Sequence, residues 1–395
     1  MLRGNKYLAV VIVAVIANLA GCEKVVDLYQ QGEQERKLRQ LLHIPRHFSL
    51  PNIPEFNMPT KEKIRLGRHL FYDKRLSANN TQSCSSCHFQ ALAFSDAKAT
   101  PIGSTGHKLV RNSPGLANVM YYASFTWAND GFVHIEDQLQ VPIRADNPVE
   151  LGVTDDHVGD VLARFDSDEF YQELFSEAFP DSDTGASINK IIFALASFSR
   201  TLISADSAYD RYLLGDREAL SEQALQGFRL FHGERFECFH CHAGVNFSAS
   251  YQDKRRRSDT IMFPFFNNGL YNIDGKGAYP EGDQGLYDLT LNRRHRGFFR
   301  PQSLRNIALT APYMHDGSIA TLRGVMEHYV QGGTIITEGP HAGDGRLNPL
   351  KSGFIRGIDA TEEEINAVIA FLEALTDESF VTNPDYSDPF NQTPE

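Results

Sequence analysis

Two short stretches carry residues whose types and spacing can do chemistry: Cys84-Ser85-Ser86-Cys87-His88 and Cys238-Phe239-His240-Cys241-His242. Each CxxCH run offers two thiols and an imidazole, and three chemistries compete for it. A redox dithiol wants a βαβ context, which the sequence around neither motif supplies. Two CxxC pairs can share one tetrahedral zinc ion, but roughly 150 residues separate these pairs, far beyond ribbon spacing. The third chemistry is covalent haem attachment: both thiols add to the vinyl groups and the next histidine becomes an axial iron ligand. The cysteine count decides. Of five cysteines, four fall in the two motifs and only Cys22 stands apart. Two covalently bound haem c groups are therefore the expected cofactors. Cys84, Cys87, Cys238 and Cys241 attach them, and His88 and His242 are the proximal ligands. His240 is a spacer facing away from the iron.

The elements that must position these motifs read as mostly helical. Ile64, Leu66, Leu70 and Phe71 recur at helical spacing ahead of the first motif. "SEQALQGFRLFHGE" introduces the second in the same way. Further helices are expected over 155–178 and 188–204, the latter capped by Ser187, and at "TLRGVMEHYVQGG". "TEEEINAVIAFLEALTD" opens with a capping-box pattern, Thr361 to Glu364. Residues 101–131 and 251–300 read as loops, and strand-like alternation is scarce. The predicted fold class is mostly α: two cytochrome c-like haem domains with long loops, over 56–212 and 213–395. The only repeat visible is the duplicated helix and CxxCH arrangement.

At 395 residues with a formal net charge of −12, the chain is too acidic for a nucleic-acid partner. The basic runs "KRRR" at 254–257 and "RRHR" at 293–296 read as solvated loop faces. Arg3 and Lys6 precede an apolar stretch from Leu8 to Leu19, too short to span a bilayer comfortably. Leu19-Ala20-Gly21-Cys22 resembles the bacterial lipobox, with an ordinary signal anchor as the alternative. The resemblance implies a signal peptide over 1–21, lipidation of Cys22 and a tether over 22–55. The expected location is the periplasm, and Glu23 after the lipidated cysteine favours the outer membrane.

"LGRHLFYDKRLSANNTQSCSSCH", "RNSPGLAN", "PVELG", "CFHCH", "SLRNIALTAPYMHDGSIATL" and "HYVQGG" occur in order from about residue 60 to 375. Together they resemble the di-haem cytochrome c peroxidase and MauG-like family. "CFHCHAGVNFS", "NNGLYN" and "GAYP" are most similar to the methanobactin-associated di-haem enzymes, which oxidise a tryptophan of a small copper-binding partner to kynurenine.

The resemblance implies roles residue by residue. Ser104 stands where electron-fed peroxidases carry a distal histidine, so the first haem is expected to be open, with His107 near enough in sequence to compete. Glu150 and Gln138 match the distal acid–base pair, with Gln140 two residues from the latter. Trp127, the single tryptophan, matches an indole placed between the haems. Tyr329 stands where the peroxidases have a methionine on the second iron; Met326, Met314 and His328 are its competitors. A hard phenolate oxygen favours oxidised iron, whereas thioether sulfur favours Fe(II). Asn112 and the carbonyls of Thr310 and Pro312 match the ligands of a Ca²⁺ ion between the haems. Phe236 replaces the second indole of the quinone-forming type, so this chain should not share that substrate or docking mode.

The implied function is a periplasmic oxidoreductase that uses hydrogen peroxide to form a high-valent di-haem state and oxidise a partner protein side chain, Trp to kynurenine. The alternative is a peroxidase drawing electrons from a small cytochrome or cupredoxin. A plain electron-transfer cytochrome, with both irons six-coordinate, is the rival from another class.

Overall fold

The computed structural model describes residues 31–256 and 264–391. The expected leader and Cys22 lie outside the described residues. The chain divides into two units between Leu50 and Pro51. In the first, the expected tether holds a helix, α1, over 31–41. Everything that builds the candidate site belongs to the second. Among the described residues no helix is long and apolar enough to cross a membrane.

The second unit is helical, as its sequence pattern requires. Its helices are α2 (Lys61–Tyr72), α3 (Ile135–Arg144), α4 (Val158–Asp166), α5 (Glu169–Ala178), α6 (Ile188–Ser199) and α7 (Ala208–Leu213). They continue with α8 (Glu222–Phe231), α9 (Tyr287–Thr290), α10 (Leu322–Gln331), α11 (Glu362–Glu373) and α12 (Glu378–Val381). The only named strands among the described residues, β1 (Ile335–Ile336) and β2 (Gly343–Asp344), form one short antiparallel pair. Hydroxyl side chains cap most helix starts. Thr60, Ser187, Ser221 and Thr321 each accept a backbone N–H of the first turn, and Thr361 and Glu364 form the expected capping box.

Three boundaries differ from the sequence reading. The single helix expected over 155–178 is two. Asp168 leaves the helical conformation, accepts the Phe170 N–H and binds the Arg75 guanidinium at 2.9 Å. α6 stops at Ser199 rather than 204, because Asn118 brackets Ser204 through both its backbone N–H and C=O. α3 falls in a stretch with no assigned helix; its interior Pro142 reads as a breaker.

The duplication runs deeper than the motifs. α2 crosses α6 where Gly67 faces Ala194, and α8 crosses α11 where Gly227 faces Ala367. A Cβ on either glycine would lie 2.0 or 1.8 Å from the facing carbonyl oxygen, so only glycine permits the approach. One turn on, Phe71 meets Phe198 and Phe231 meets Phe371, both edge to face at 5.3 Å. Asn118 and Asn306 repeat each other as left-handed residues opening a short 3₁₀ turn. Their side chains grip matching positions after α6 and α11: Ser204 and Asp377, each ten residues beyond the alanine under its glycine. After α11 the chain crosses back. Phe380 packs on Phe94, and Arg68 and Tyr72 donate to carbonyls of 384–387.

Two buried ion pairs fix the surrounding loops. Arg200 binds Glu136 through two hydrogen bonds of 2.8 and 2.9 Å, and Arg305 binds Asp210 at 2.6 and 2.9 Å. Arg305 also donates to the carbonyl of Val245, directly after the second motif. Removing one partner of such a pair costs about 3–5 kcal/mol, because a buried charge is left alone.

Candidate active site

Each CxxCH motif forms one 3₁₀ turn, Cys84–Ser86 and Cys238–His240, and the histidine N–H closes on the first cysteine's carbonyl at 3.0 and 2.9 Å. The imidazoles are then fixed by a second repeated device. Nδ1 of His88 lies 2.6 Å from the Phe94 carbonyl, and Nδ1 of His242 lies 3.0 Å from that of Phe247. Both phenylalanines are held in the left-handed region, at φ 62° and 47°, which bulky residues avoid. That backbone strain aims each carbonyl at its histidine. With Nδ1 donating, Nε2 presents its lone pair to a metal. Burial holds both imidazoles below their usual pKa, in the neutral form that iron ligation needs.

His88, Cys84 and Cys87 open on one cavity of about 490 Å³, and His242, Cys238 and Cys241 on another of about 220 Å³. The two thiol pairs therefore face different spaces and cannot share a zinc ion. Burial pushes all four thiols up to about 12, the opposite of what a dithiol catalyst requires. Asn112, Trp127, Arg300 and Gln302 line both cavities and form their common wall.

Glu150 and Gln138 line the first cavity together with His88. Desolvation raises the Glu150 carboxyl to about 7. α3 presents Gln138 inward, whereas Gln140 is exposed. No second histidine and no methionine lines this space among the described residues. His107 is exposed and bonded to Thr105, and Ser104 lies outside the lining.

The second cavity is richer in potential ligands. Tyr329, Met326 and Met314 all border it. Tyr329 sits in the last turn of α10, which Gly332 closes in the left-handed conformation. Burial raises its phenol pKa, and a bond from Asn268 opposes the rise. Met326, one turn earlier, belongs to the apolar cluster of Phe231, Phe236, Phe247 and Phe371. Met314 takes the Asn268 amide on its sulfur at 3.3 Å. His328 lies outside the lining, with Nδ1 2.7 Å from the Thr334 hydroxyl. His240 is likewise outside, stacked on Phe354 at 3.9 Å.

Trp127 is pinned between the cavities. Its indole N–H donates to the Asn112 carbonyl at 2.8 Å, and its own carbonyl accepts the Arg300 N–H at 2.7 Å. Asn112, Thr310 and Pro312 all border the second cavity. The Asn112 amide donates to the carbonyl of Lys98.

The sequence reading missed Arg300 and Gln302. Arg300 is 3 % exposed, has its Cζ 3.7 Å from the Tyr122 ring centroid and donates to the Thr126 carbonyl and to Gln302. Its remaining Nη1 and the Gln302 Nε2 have no partner. No carboxylate of the chain is paired with this buried cation among the described residues, an expensive state unless an anion arrives. A haem carries two propionates, so the residues fit the group. The signal was a lone arginine in the aromatic run "GFFRPQ".

The model of the di-haem cytochrome c peroxidase family matches residues 61–218. The methylamine utilization protein MauG of Methylorubrum extorquens is 31% identical over 328 residues, covering 83% of this chain and 81% of that protein. The chain belongs to the di-haem cytochrome c peroxidase and MauG family. The cytochrome c551 peroxidase of Pseudomonas aeruginosa is 33% identical over 67% of this chain and 71% of its own length. Among solved structures, a MauG-like protein associated with microbial copper homeostasis superposes with a TM-score of 0.85 at 47% identity, covering 88% of this chain and 98% of that one.

Membership makes the chain a di-haem oxidoreductase with two haem c groups, acting on hydrogen peroxide and a protein partner or substrate. When bound, haem supplies an iron that takes oxidising equivalents from peroxide. The chain's own residues do the rest. A carboxyl with pKa near 7 can accept a peroxide proton and return it within one turnover, and the Gln138 amide can orient the oxygens. Arg300 and Gln302 would hold a haem propionate, and Arg300 also bonds the carbonyls of Thr126 and Trp127, which ties it to the indole's segment.

Proposed function

We propose that peroxide reacts in the His88 cavity and that the two oxidising equivalents of each peroxide are held jointly across Trp127 until a docked protein gives up electrons from an aromatic side chain. Two such turnovers withdraw the four electrons that convert a Trp to N-formylkynurenine, with water supplying the oxygen, and hydrolysis with release of formate leaves kynurenine. The observation that carries this reading is the asymmetry of the two cavities. The first has a proton-handling carboxyl and, among the described residues, no second histidine or methionine, and the second has the Tyr329 phenol on its wall. An anionic oxygen ligand stabilises electron-poor iron, which suits storage of oxidising power rather than reception of electrons. The likeness to a protein associated with copper homeostasis supports a partner linked to copper. Calcium at Asn112, Thr310 and Pro312, periplasmic location and lipidation at Cys22 belong to the same proposal.

The test adds peroxide to the diferric protein and follows both haem spectra, then measures the mass of the neighbouring gene's product. Joint spectral change and, on one partner tryptophan, the gain of one oxygen with the loss of one carbon are expected. Change at one haem alone, or an unmodified partner, overturns it. Met326 and Met314 also border the second cavity, which favours a second reading: peroxide removal with a cytochrome or cupredoxin as donor. Sulfur ligation and fast turnover with such donors would establish that one instead.

A further inference from the structure

Among the described residues three buried tyrosines donate to an aspartate, and they are not equivalent. Tyr171 bonds Asp73 at 2.8 Å, but Arg75 already grips that carboxylate and its Cζ lies 5.1 Å from the Tyr171 ring centroid. A cation there opposes removal of an electron. Tyr251 bonds Asp253 at 3.0 Å and stacks on Tyr121, but that carboxylate also accepts the backbone N–H groups of Arg255 and Arg256. Tyr271 bonds Asp316 at 2.5 Å, the shortest of the three and within the range of a hydroxyl donating to an anion. Asp316 has no Lys or Arg paired with it among the described residues; its other oxygen accepts the Ser318 N–H.

Tyr271 also ends a column of rings that starts at the second cavity. Phe299 and His315 line that cavity and stack on each other at 3.8 Å, 17° from parallel. Tyr279 lies 5.9 Å from both, Tyr271 lies 5.4 Å from Tyr279, and the exposed His341 ring lies 5.7 Å beyond. Trp127 packs against the same aromatic cluster. With Phe236 in place of a second indole, electrons from a partner reach the haem directly or through a tyrosine, and this column supplies the second route.

We propose that Tyr271 and Asp316 form a redox relay joining the haem pair to the protein surface beside His341, a role that rests on the functional reading above. In the forward step the Tyr271 phenol gives one electron to the peroxide-oxidised haem pair, and its O–H proton passes to the Asp316 carboxylate. This leaves a neutral tyrosyl radical and a carboxylic acid. An electron from an aromatic side chain of the docked protein then reduces the radical, and Asp316 returns the proton. Each partner oxidation by two electrons uses the relay twice. The partner is therefore expected to dock an oxidisable aromatic residue over Tyr271 and His341.

The experiment is rapid-freeze EPR on the full holoprotein after one equivalent of hydrogen peroxide, with haem absorbance recorded in parallel. A tyrosyl signal is expected that narrows when tyrosine is ring-deuterated and is lost in Tyr271→Phe. Asp316→Asn, which keeps the side chain's shape, should slow the signal's rise and abolish its solvent deuterium effect. An unchanged signal in Tyr271→Phe, or no tyrosyl signal while both haem spectra respond normally, overturns the relay and leaves the functional reading standing. Haem spectra that do not respond jointly overturn both.

Discussion

The two halves of this chain use the same scaffold and differ in what faces the iron site. Gly67 and Gly227 set the same helix crossing, Phe94 and Phe247 the same strained carbonyl, His88 and His242 the same orientation. The far walls diverge. One holds a carboxyl and an amide in a wide cavity; the other is narrower and crowded by a phenol and two thioethers. The shared parts attach and orient a cofactor, while the unshared parts decide its reactivity. The common wall, which includes Asn112, Trp127, Arg300 and Gln302, belongs to both.

The comparison can be broken most severely at Glu150. Glu150→Gln should slow the reaction with peroxide by about 10²–10⁴-fold, the usual contribution of a positioned acid–base group. The native rate should rise as pH passes through about 7, since only the ionised carboxyl accepts a proton, and this limb should vanish in the variant. Stopped-flow absorbance over a pH series measures both.

Duplication of the scaffold predicts matched damage. Gly67→Ala or Gly227→Ala forces a Cβ into a carbonyl, a clash above the usual ~1–3 kcal/mol of overpacking. Each should cost about 3 kcal/mol or more in denaturant titrations and lower haem incorporation at its own motif first. Arg305→Met should cost about 3 kcal/mol by stranding Asp210. Asp210→Asn combined with Arg305→Met should recover part of that loss. Gln138→Ala should slow the peroxide step by about tenfold, some 1.4 kcal/mol of barrier. The smallest effect tests which histidines count. His107→Ala should leave the first haem's spectrum and peroxide rate unchanged, because its ring is exposed and bonded to Thr105.

Much of this was legible in sequence because it depends on local spacing. CxxCH fixes thiols and imidazole within one turn, and Ser187, Thr361 and the apolar steps of α2 act within a few residues. Glu150 and Gln138 were found through resemblance, but the preference for Gln138 over Gln140 needed the rotation of α3, which Pro142 disguised. The split at Asp168 was hidden because Arg75, which holds the carboxylate, lies far away in the chain.

The sequence alone determined the cofactor chemistry and the helical class, since those follow from residue type and short-range spacing; the asymmetry of the two sites was an expectation drawn from the family resemblance. Tertiary structure alone decided that Arg300 and Gln302, bonded to each other in the wall between the cavities, each keep one nitrogen without a partner among the described residues, and that Tyr271 reaches Asp316 at the end of a ring column. Such groups meet only when segments distant in sequence pack together, and the burial that makes them consequential exists only after they have.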